Sequence, residues 1–137
     1  MSFDELNKQI EQDLKINLTD LAYESANNAL LQHKYIKMLT ETKVKYRQKW
    51  TKHQQTKKDR YMYYNGHAEK PYEYELDSAG MKFHMAGDDQ IIKEQNELFL
   101  LEEKIKFLED TCAVFNNRGY NIKSTMSWLA FQSGTKL

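Results

Sequence analysis

The first hydrophobic residues of the chain recur at the spacing of a helix. Leu6, Ile10 and Leu14 each follow the last by four residues, and the residues between them are all polar. An apolar row on an otherwise polar segment is typical of an amphipathic helix. The pattern therefore predicts a short helix over residues 4–14 that buries one face.

A much longer helix is predicted over residues 19–64, where the chain contains neither Gly nor Pro. Asn17 or Thr19 can cap its start, and Asn65-Gly66 can end it with a residue in the left-handed conformation. Apolar residues continue through it at helical spacing, and the later ones are Ile36, Leu39, Tyr46 and Trp50. A helix of this length exceeds what one small core covers, so part of it is expected to face solvent or a partner.

The next segment, residues 65–87, has the composition of a loop. It holds the only proline of the chain, Pro71, and three of its five glycines. Its other residues mix aromatic and acidic side chains, and a short hairpin over residues 72–85 is an alternative within it.

Heptad spacing marks a second long helix, capped by Asp88 or Asp89 and ending near Asn117-Arg118-Gly119. Two positions of each heptad, three residues apart, are apolar throughout except at Glu94. The apolar members of this first row are Ile91, Leu98, Leu101, Ile105, Leu108, Cys112 and Phe115. A last short helix is predicted over residues 124–132.

A second apolar row on the same helix also repeats every seven residues, at Leu100, Phe107 and Val114. One row suffices for the seam of a dimeric coiled coil, whereas two rows suit a helix placed between several neighbours. A bundle within one chain is the alternative, but the double row favours self-assembly, with the first row as the predicted oligomerisation contacts. The predicted fold class is therefore all-α, with two long helices and shorter terminal helices that assemble into a helical homo-oligomeric ring.

Composition indicates one domain with a thin core. Of the 137 residues, 40% are hydrophobic and 29% are charged, which leaves little apolar material for a core and favours oligomerisation. The single cysteine, Cys112, has no internal disulfide partner and indicates a reducing compartment. The apolar runs fall short of the ~20 residues of a membrane span, so no membrane partner is expected.

The formal net charge is zero, but the charges are gathered in blocks. Residues 34–60, the basic stripe, carry ten Lys and Arg against two acids, whereas residues 61–110 carry five against twelve. A concentrated positive stripe usually binds a polyanion. A solvated helix face is the plain alternative.

Aromatic residues follow the cations at the end of the basic stripe. Residues 57–64 contain Lys57, Lys58 and Arg60, and then Tyr61, Tyr63 and Tyr64. Cations bind phosphates and aromatic faces stack on unpaired bases, so this segment is typical of a site for single-stranded nucleic acid. Lys49, earlier in the stripe, is a further candidate for phosphate contact.

No pattern in the chain indicates catalysis. It has no glycine-rich phosphate-binding loop, no nucleophile elbow built around a serine, and no HExxH zinc motif. Its four histidines also lack the spacing of a metal site. We therefore expect no catalytic residue, no metal and no cofactor. Two other functions stay open: an adaptor that docks its basic stripe on acidic protein partners, and a small nuclease or metal-dependent hydrolase that uses the histidines and acids of the loop.

Four segments, spread in order over most of the chain, carry a resemblance to a known family. They are Tyr23-Glu24-Ser25-Ala26-Asn27-Asn28, Lys58-Asp59-Arg60 with Tyr63-Tyr64-Asn65-Gly66, Arg118-Gly119-Tyr120-Asn121-Ile122-Lys123, and Ala130-Phe131-Gln132-Ser133-Gly134. By their order and spacing together they resemble the UvsY family, the recombination mediators of T-even and related phages. Residues 67–97 resemble the family little, and His67 stands where a second arginine is expected.

The resemblance implies a ring-forming homo-oligomer that binds single-stranded DNA, the phage recombinase UvsX and the phage single-strand-binding protein. Such proteins help the recombinase to replace the binding protein on the strand, in the cytoplasm of the infected host. The resemblance also implies that Lys58 and Arg60 contact DNA and that the C-terminal part assembles the ring, here of roughly six to eight copies. We therefore expect a single-stranded-DNA-binding region over residues 1–66, a linker over 67–87 and an oligomerisation region over 88–137.

Overall fold

Residues 1–134 are described by the computed structural model, and within them the chain forms four helices and no strand. The helices are α1 (Phe3–Leu14), α2 (Leu21–Tyr64), α3 (Ser78–Ala86) and α4 (Asp89–Gln132). The prediction of an all-α subunit with two long helices is confirmed. Within the same residues, none of these helices has both the length and the apolar character needed to span a membrane.

Two predicted helix ends are found where the sequence placed them. Gly66 follows α2 with φ of 80°, a conformation that glycine adopts without strain. Asp88 caps α4, because its Oδ1 accepts hydrogen bonds from the backbone N–H groups of Gln90 and Ile91, both at 3.0 Å. These two caps fix the ends of the segment that joins the long helices.

The predicted cap of α2 is wrong by one to three residues. Asp20 caps the helix, since its side chain accepts a hydrogen bond from the backbone N–H of Tyr23 at 3.4 Å. Asn17 instead accepts hydrogen bonds from the backbone and hydroxyl of Thr19, at 3.0 and 2.6 Å, and closes a turn before the helix. Three candidate cap residues within four positions cannot be ranked by residue type.

The joining segment contains a helix where a hairpin was the alternative. Residues 78–86 form α3, which begins after Asp77, whose side chain accepts a hydrogen bond from the N–H of Gly80 at 2.7 Å. The hairpin over residues 72–85 is therefore wrong. An Asp cap outweighs the weak helix propensity of the glycine in this short segment.

The predicted break near residue 118 is also wrong, because α4 continues without interruption to Gln132. Glycine inside a helix costs about 1 kcal/mol relative to alanine, which is why Gly119 suggested an end. Here the missing side chain serves packing, since a Cβ at Gly119 would lie 3.0 Å from Asn28 Nδ2 on α2. Close approach of the two helices therefore explains the glycine.

The chain divides into two compact units, and both long helices contribute to each. The first unit contains Met1–Thr40 and the chain from Lys106 onward, and the second contains Glu41–Ile105. These units describe packing only. The assignment of DNA binding to residues 1–66, of a linker to 67–87 and of oligomerisation to 88–137 stays a prediction. Residues 135–137 of the last region lie outside the described part of the chain.

An apolar core of the first unit gathers residues from α1, α2 and α4. Its buried members are Leu6, Ile10, Tyr35, Leu108 and Phe115. The rings of Tyr35 and Phe115 stack with centroids 4.9 Å apart, and the Tyr35 hydroxyl donates a hydrogen bond to Asp13 at 2.7 Å. A stacked, hydrogen-bonded tyrosine gains from both its apolar body and its polar end.

A buried arginine completes the first unit. Arg118, only 4% exposed, donates hydrogen bonds to the carbonyls of Leu14 and Lys15 at 3.2 and 2.8 Å, and so binds the end of α1. On α2 it donates to Asn28 Oδ1 at 2.9 Å and forms an ion pair with Glu24. Two of the four segments that carry the family resemblance therefore meet here, and their shared role is structural.

In the second unit, the contact between α2 and α4 is polar on the α2 side. Glu94, the polar exception in the first row, lies 3.0 Å from His53 Nδ1 and accepts a hydrogen bond from Thr56 at 2.9 Å. Both of these α2 side chains are buried. Glu94 is therefore matched by a polar pair on the facing helix, as buried polar groups require.

Candidate nucleic-acid interface

The last two turns of α2 present cations and aromatic rings on the surface. Lys58 is exposed, Lys57 is half-buried, and neither forms an ion pair within residues 1–134. Tyr61, three residues after Lys58 and so on the same helix face, is exposed to 47%. A phosphate and its base can meet these two side chains without displacing an internal contact.

Arg60 is held differently from the lysines. Its Nε donates a hydrogen bond to Asp88 Oδ2 at 2.8 Å, and its side chain keeps 29% of its surface exposed. The guanidinium lies over the ring of Tyr63 at 4.4 Å and near that of Tyr64 at 5.2 Å. Such cation–π contacts fix the direction in which the remaining guanidinium surface points.

Asp88 joins two helices, α2 and α4, with one carboxylate. While Oδ1 caps α4, Oδ2 accepts hydrogen bonds from Arg60 and from the Tyr64 hydroxyl, the latter at 2.7 Å. Burial alone would raise the pKa of Asp88, but the hydrogen bonds from Tyr64, from the Ile91 N–H and from Arg60 lower it overall. The carboxylate therefore stays ionised and holds Arg60 as a fixed cation.

The same cluster shifts its other two ionisable groups in the expected directions. Burial would lower the pKa of Arg60, but its hydrogen bond with Asp88 raises it. Burial and the hydrogen bond to Asp88 both raise the pKa of Tyr64. Arg60 thus remains charged and Tyr64 remains a neutral hydrogen-bond donor.

Tyrosines from the joining segment pack against those of α2. The rings of Tyr63, Tyr64 and Tyr72 contact one another edge-on, with centroids 5.1 to 5.8 Å apart. His84 of α3 adds a fourth ring, 5.5 Å from Tyr72, and Tyr74 a fifth, also 5.5 Å from Tyr72. Sequence reasoning selected Tyr61, Tyr63 and Tyr64 but missed the later rings. Tyr72 and Tyr74 could have been selected because they are aromatic residues in an otherwise polar loop next to the predicted site.

Other cations of the basic stripe are paired with acids from outside it. Lys34 Nζ lies 2.8 Å from Asp13 of α1, and Lys49 Nζ lies 3.8 Å from Glu97 of α4 with both side chains exposed. The near absence of acids inside the stripe therefore does not leave all its cations unpaired. Among those that stay exposed are Lys37, Lys45, Lys52 and Lys58.

The predicted oligomerisation residues lie largely inside the subunit. Ile91, Leu98, Leu108 and Phe115 are buried, and Leu101, Ile105 and Cys112 are half-buried. In the second row, by contrast, Leu100 is 66% exposed and Val114 is 44% exposed. The first row therefore packs the subunit, and its role in assembly stays a prediction.

Metal-ligating side chains do not converge in this part of the chain. No group of three or more His, Cys, Asp or Glu side chains lies close enough to hold a metal ion among residues 1–134. Cys112 packs beside the core of the first unit, and burial together with the nearby Glu109 raises the pKa of its thiol. A protonated, packed thiol behaves as a small hydrophobic side chain.

Comparison with known proteins places these features in a family. A family model described as "Recombination, repair and ssDNA binding protein UvsY" matches residues 9–135. The chain is 25% identical over 137 residues to the recombination protein UvsY of Enterobacteria phage T4, covering 98% of this chain and 99% of that protein.

The fold is also similar to crystal structures of the bacteriophage T4 recombination mediator protein UvsY. In one lattice form the TM-score is 0.88 at 24% identity, covering 96% of this chain and 99% of that one. In a second form the TM-score is 0.89 at 23% identity, with 97% and 98% covered.

Proposed function

The chain belongs to the UvsY family of recombination, repair and single-stranded-DNA-binding proteins, and on that basis we propose that it is a recombination mediator. It binds single-stranded DNA and helps to load the phage recombinase UvsX onto a strand coated by the phage single-strand-binding protein. It acts without catalysing a reaction, in homologous recombination, repair and recombination-dependent replication in the cytoplasm of the infected host.

The observation that carries this proposal is the cluster at the end of α2. An exposed Lys58 lies three residues before Tyr61, and a fixed, partly exposed Arg60 lies three residues before Tyr63. Cations supply contacts to phosphates, and tyrosine rings supply contacts to bases that are not paired. Lys58 and Arg60 are the primary phosphate contacts in this proposal, with Lys57 and Lys49 as secondary ones.

Tyr61, Tyr63 and Tyr64 take different parts in this site. Tyr61 is exposed and stacks on a base, whereas Tyr64 donates its hydroxyl to Asp88 and supports Arg60. Tyr63 is half-buried under the guanidinium of Arg60. The site is thus a row of supported side chains that a flexible strand can follow.

Self-association multiplies the weak contact of one site. We propose a homo-oligomeric ring of roughly six to eight copies, in which every added contact to the same strand is intramolecular and raises avidity. The exposed Leu100 and Val114 at the two ends of the second row support a direct contact between copies, whereas Phe107 between them packs against the core of the first unit. The buried first row, Ile91 to Phe115, contributes by holding α4 in place.

Removing the two primary cations tests the site. Lys58→Ala with Arg60→Ala should weaken binding to a single-stranded oligonucleotide and flatten its dependence on salt, by roughly 0.7 in the log–log slope for each lost phosphate contact. The matched control is Lys93→Ala with Lys104→Ala, which removes two exposed lysines of α4 outside the basic stripe.

The single variant Lys58→Ala separates an effect on binding from an effect on folding. Lys58 has no internal ion pair in the described chain, whereas loss of Arg60 leaves Asp88 without its ion-pair partner. Equal slopes for the wild type and Lys58→Ala would exclude Lys58 as a phosphate contact. If the wild-type chain does not bind single-stranded DNA at low salt, the alternative function, an adaptor that docks on acidic proteins, would be favoured.

The assembly is tested on the second row. Leu100→Ser should reduce the molar mass measured by light scattering, because it removes an exposed apolar side chain from the proposed contact between copies. Leu18→Ser is the control, since Leu18 is as exposed, at 65%, but precedes α2. Unchanged mass for Leu100→Ser would remove the second row from the interface.

A further inference from the structure

The joining segment places Tyr72 and Tyr74 beside the end of α2, where Tyr72 contacts the two rings that lie under Arg60. We propose that Tyr74 and Tyr72 form a binding site for an unpaired nucleobase, next to the phosphate contact of Arg60. The inference rests on the proposed function and deepens it, because it assigns the recognition of the base to residues outside the basic stripe. It also explains why the segment carries aromatic residues at all.

Tyr72 is fixed against the end of α2 by its backbone and its ring. Its N–H donates a hydrogen bond to the carbonyl of Tyr63 at 3.0 Å, and the N–H of His67 donates to Met62 at 2.9 Å. Its ring meets Tyr63, Tyr64 and His84 edge-on. A ring held from several sides loses little further freedom when a base stacks on it.

Tyr74 presents the accessible surface of this site. It is 66% exposed, and the ring contact it makes in the described part of the chain is an edge contact with Tyr72. A T-shaped contact covers at most one face of the Tyr74 ring, so the opposite face is available. Stacking of a base on that face would remove apolar surface from water on both partners, and it needs no particular base sequence.

The cleft around these rings separates bases from phosphates by charge. It has a volume of about 370 Å³ and is lined by Tyr64, Tyr72, Tyr74, Glu73 and Glu75 among others. Two carboxylates at the cleft repel a phosphate, whereas Arg60, which lies near the ring of Tyr64, attracts one. A strand would therefore place its backbone along α2 and turn its neutral base toward the tyrosines.

This arrangement selects for unpaired DNA. In a duplex the faces of the bases are already stacked on one another, so they cannot stack on Tyr74 without unstacking, which costs a few kcal/mol per step. A single strand offers the same face without that cost. The tyrosine pair therefore adds selectivity for single strands that the cations alone do not supply.

Substitution of Tyr74 in the full-length protein tests the inference. Two ligands are compared at one salt concentration: oligothymidylate, and a strand of the same length and phosphate number that lacks its bases. Tyr74→Leu should bind oligothymidylate about fivefold or more weakly than the wild type, and the base-free strand equally well. Tyr74→Phe, which keeps the ring, should bind both ligands like the wild type.

Tyr23→Leu is the matched control, because Tyr23 is 58% exposed on α2 in the first unit. It should bind both ligands as the wild type does. Unchanged binding of oligothymidylate by Tyr74→Leu, or an equal loss on both ligands, would overturn the base site while leaving the proposed function standing. A wild-type protein that binds neither ligand would overturn the proposed function, and the base site with it.

Discussion

Two arginines show how differently the two compact units use the same side chain. Arg118 in the first unit is 4% exposed and bonded to α1 and α2 through four acceptors. Arg60 in the second unit has a single carboxylate partner, Asp88, and keeps 29% of its side chain in solvent. The first holds helices together, whereas the second is held in place with part of its surface open to a ligand.

This difference is not visible in the local sequence. Both arginines lie in segments that carry the family resemblance, and both are flanked by polar and aromatic residues. What separates them is burial and the number of internal acceptors: Arg118 is buried and makes four hydrogen bonds with its five N–H donors, whereas Arg60 is partly exposed and keeps most of its donors available. Burial therefore separates Arg118, which has a structural role, from Arg60, which keeps surface available for the proposed contact.

The largest expected effect comes from removing the structural arginine. Arg118→Met should lower the free energy of unfolding by about 3–5 kcal/mol, because it leaves Glu24 as an uncompensated buried charge and frees the carbonyls at the end of α1. Chemical denaturation at one protein concentration measures this loss, since stability of an oligomer depends on concentration.

Lys123→Met is the matched control for that experiment, because Lys123 is exposed on the same helix. It should change stability by less than about 0.5 kcal/mol. If Arg118→Met were as mild as the control, the buried network would not hold the first unit, and the contrast between the two arginines would fail.

A smaller effect is expected from Asp88→Asn, which neutralises the partner of Arg60. Asparagine also caps helices, so the start of α4 is kept, and the loss should be about 1–3 kcal/mol for the charged hydrogen bonds. Asp59→Asn, on an exposed neighbour of Arg60 in the sequence, should be near neutral. Denaturation midpoints at neutral pH measure both.

The pH dependence of Asp88→Asn sharpens the comparison. A carboxyl whose pKa is lower in the folded state stabilises the fold above its unfolded value, about 3.9, and that contribution is lost as the pH falls through the folded pKa. Asp88→Asn should therefore lose less stability on acidification than the wild type. Some loss should remain, because Asp13 in the first unit also has a lowered pKa: burial, which raises it, is outweighed by hydrogen bonds from Lys34 and Tyr35.

Local patterns predicted the helices well but not their interruptions. The apolar row at Leu6 and Ile10, the cap at Asp88 and the stop at Gly66 depend on residues close in sequence, so they could be read from the chain. The continuity of α4 through Gly119 depends on Asn28, far away in sequence, and could not. Such a contact exists only once the helices are packed.

The candidate site shows the same limit. Residues 57–64 were selected from their own composition, and the structure brings Arg60 together with Tyr63 and Tyr64, whereas Lys58 shares its side of α2 with Tyr61. The pairing of Arg60 with Asp88 depends on how α2 and α4 align, which net charge and spacing do not specify. Glu94 looked like a defect in an apolar row for the same reason, because its partners His53 and Thr56 lie on the facing helix.

The double duty of Asp88 limits how this surface can be re-engineered. One oxygen caps α4 and the other accepts hydrogen bonds from Arg60 and Tyr64, so a substitution that removes both oxygens would alter both functions at once. A neutral side chain at position 60 would leave the Asp88 carboxylate, which caps α4, without its ion-pair partner. A paired change at positions 60 and 88 would remove the cation without leaving an unpaired carboxylate, whereas Arg60→Lys would keep the charge but lose the planar group that lies over Tyr63 and Tyr64.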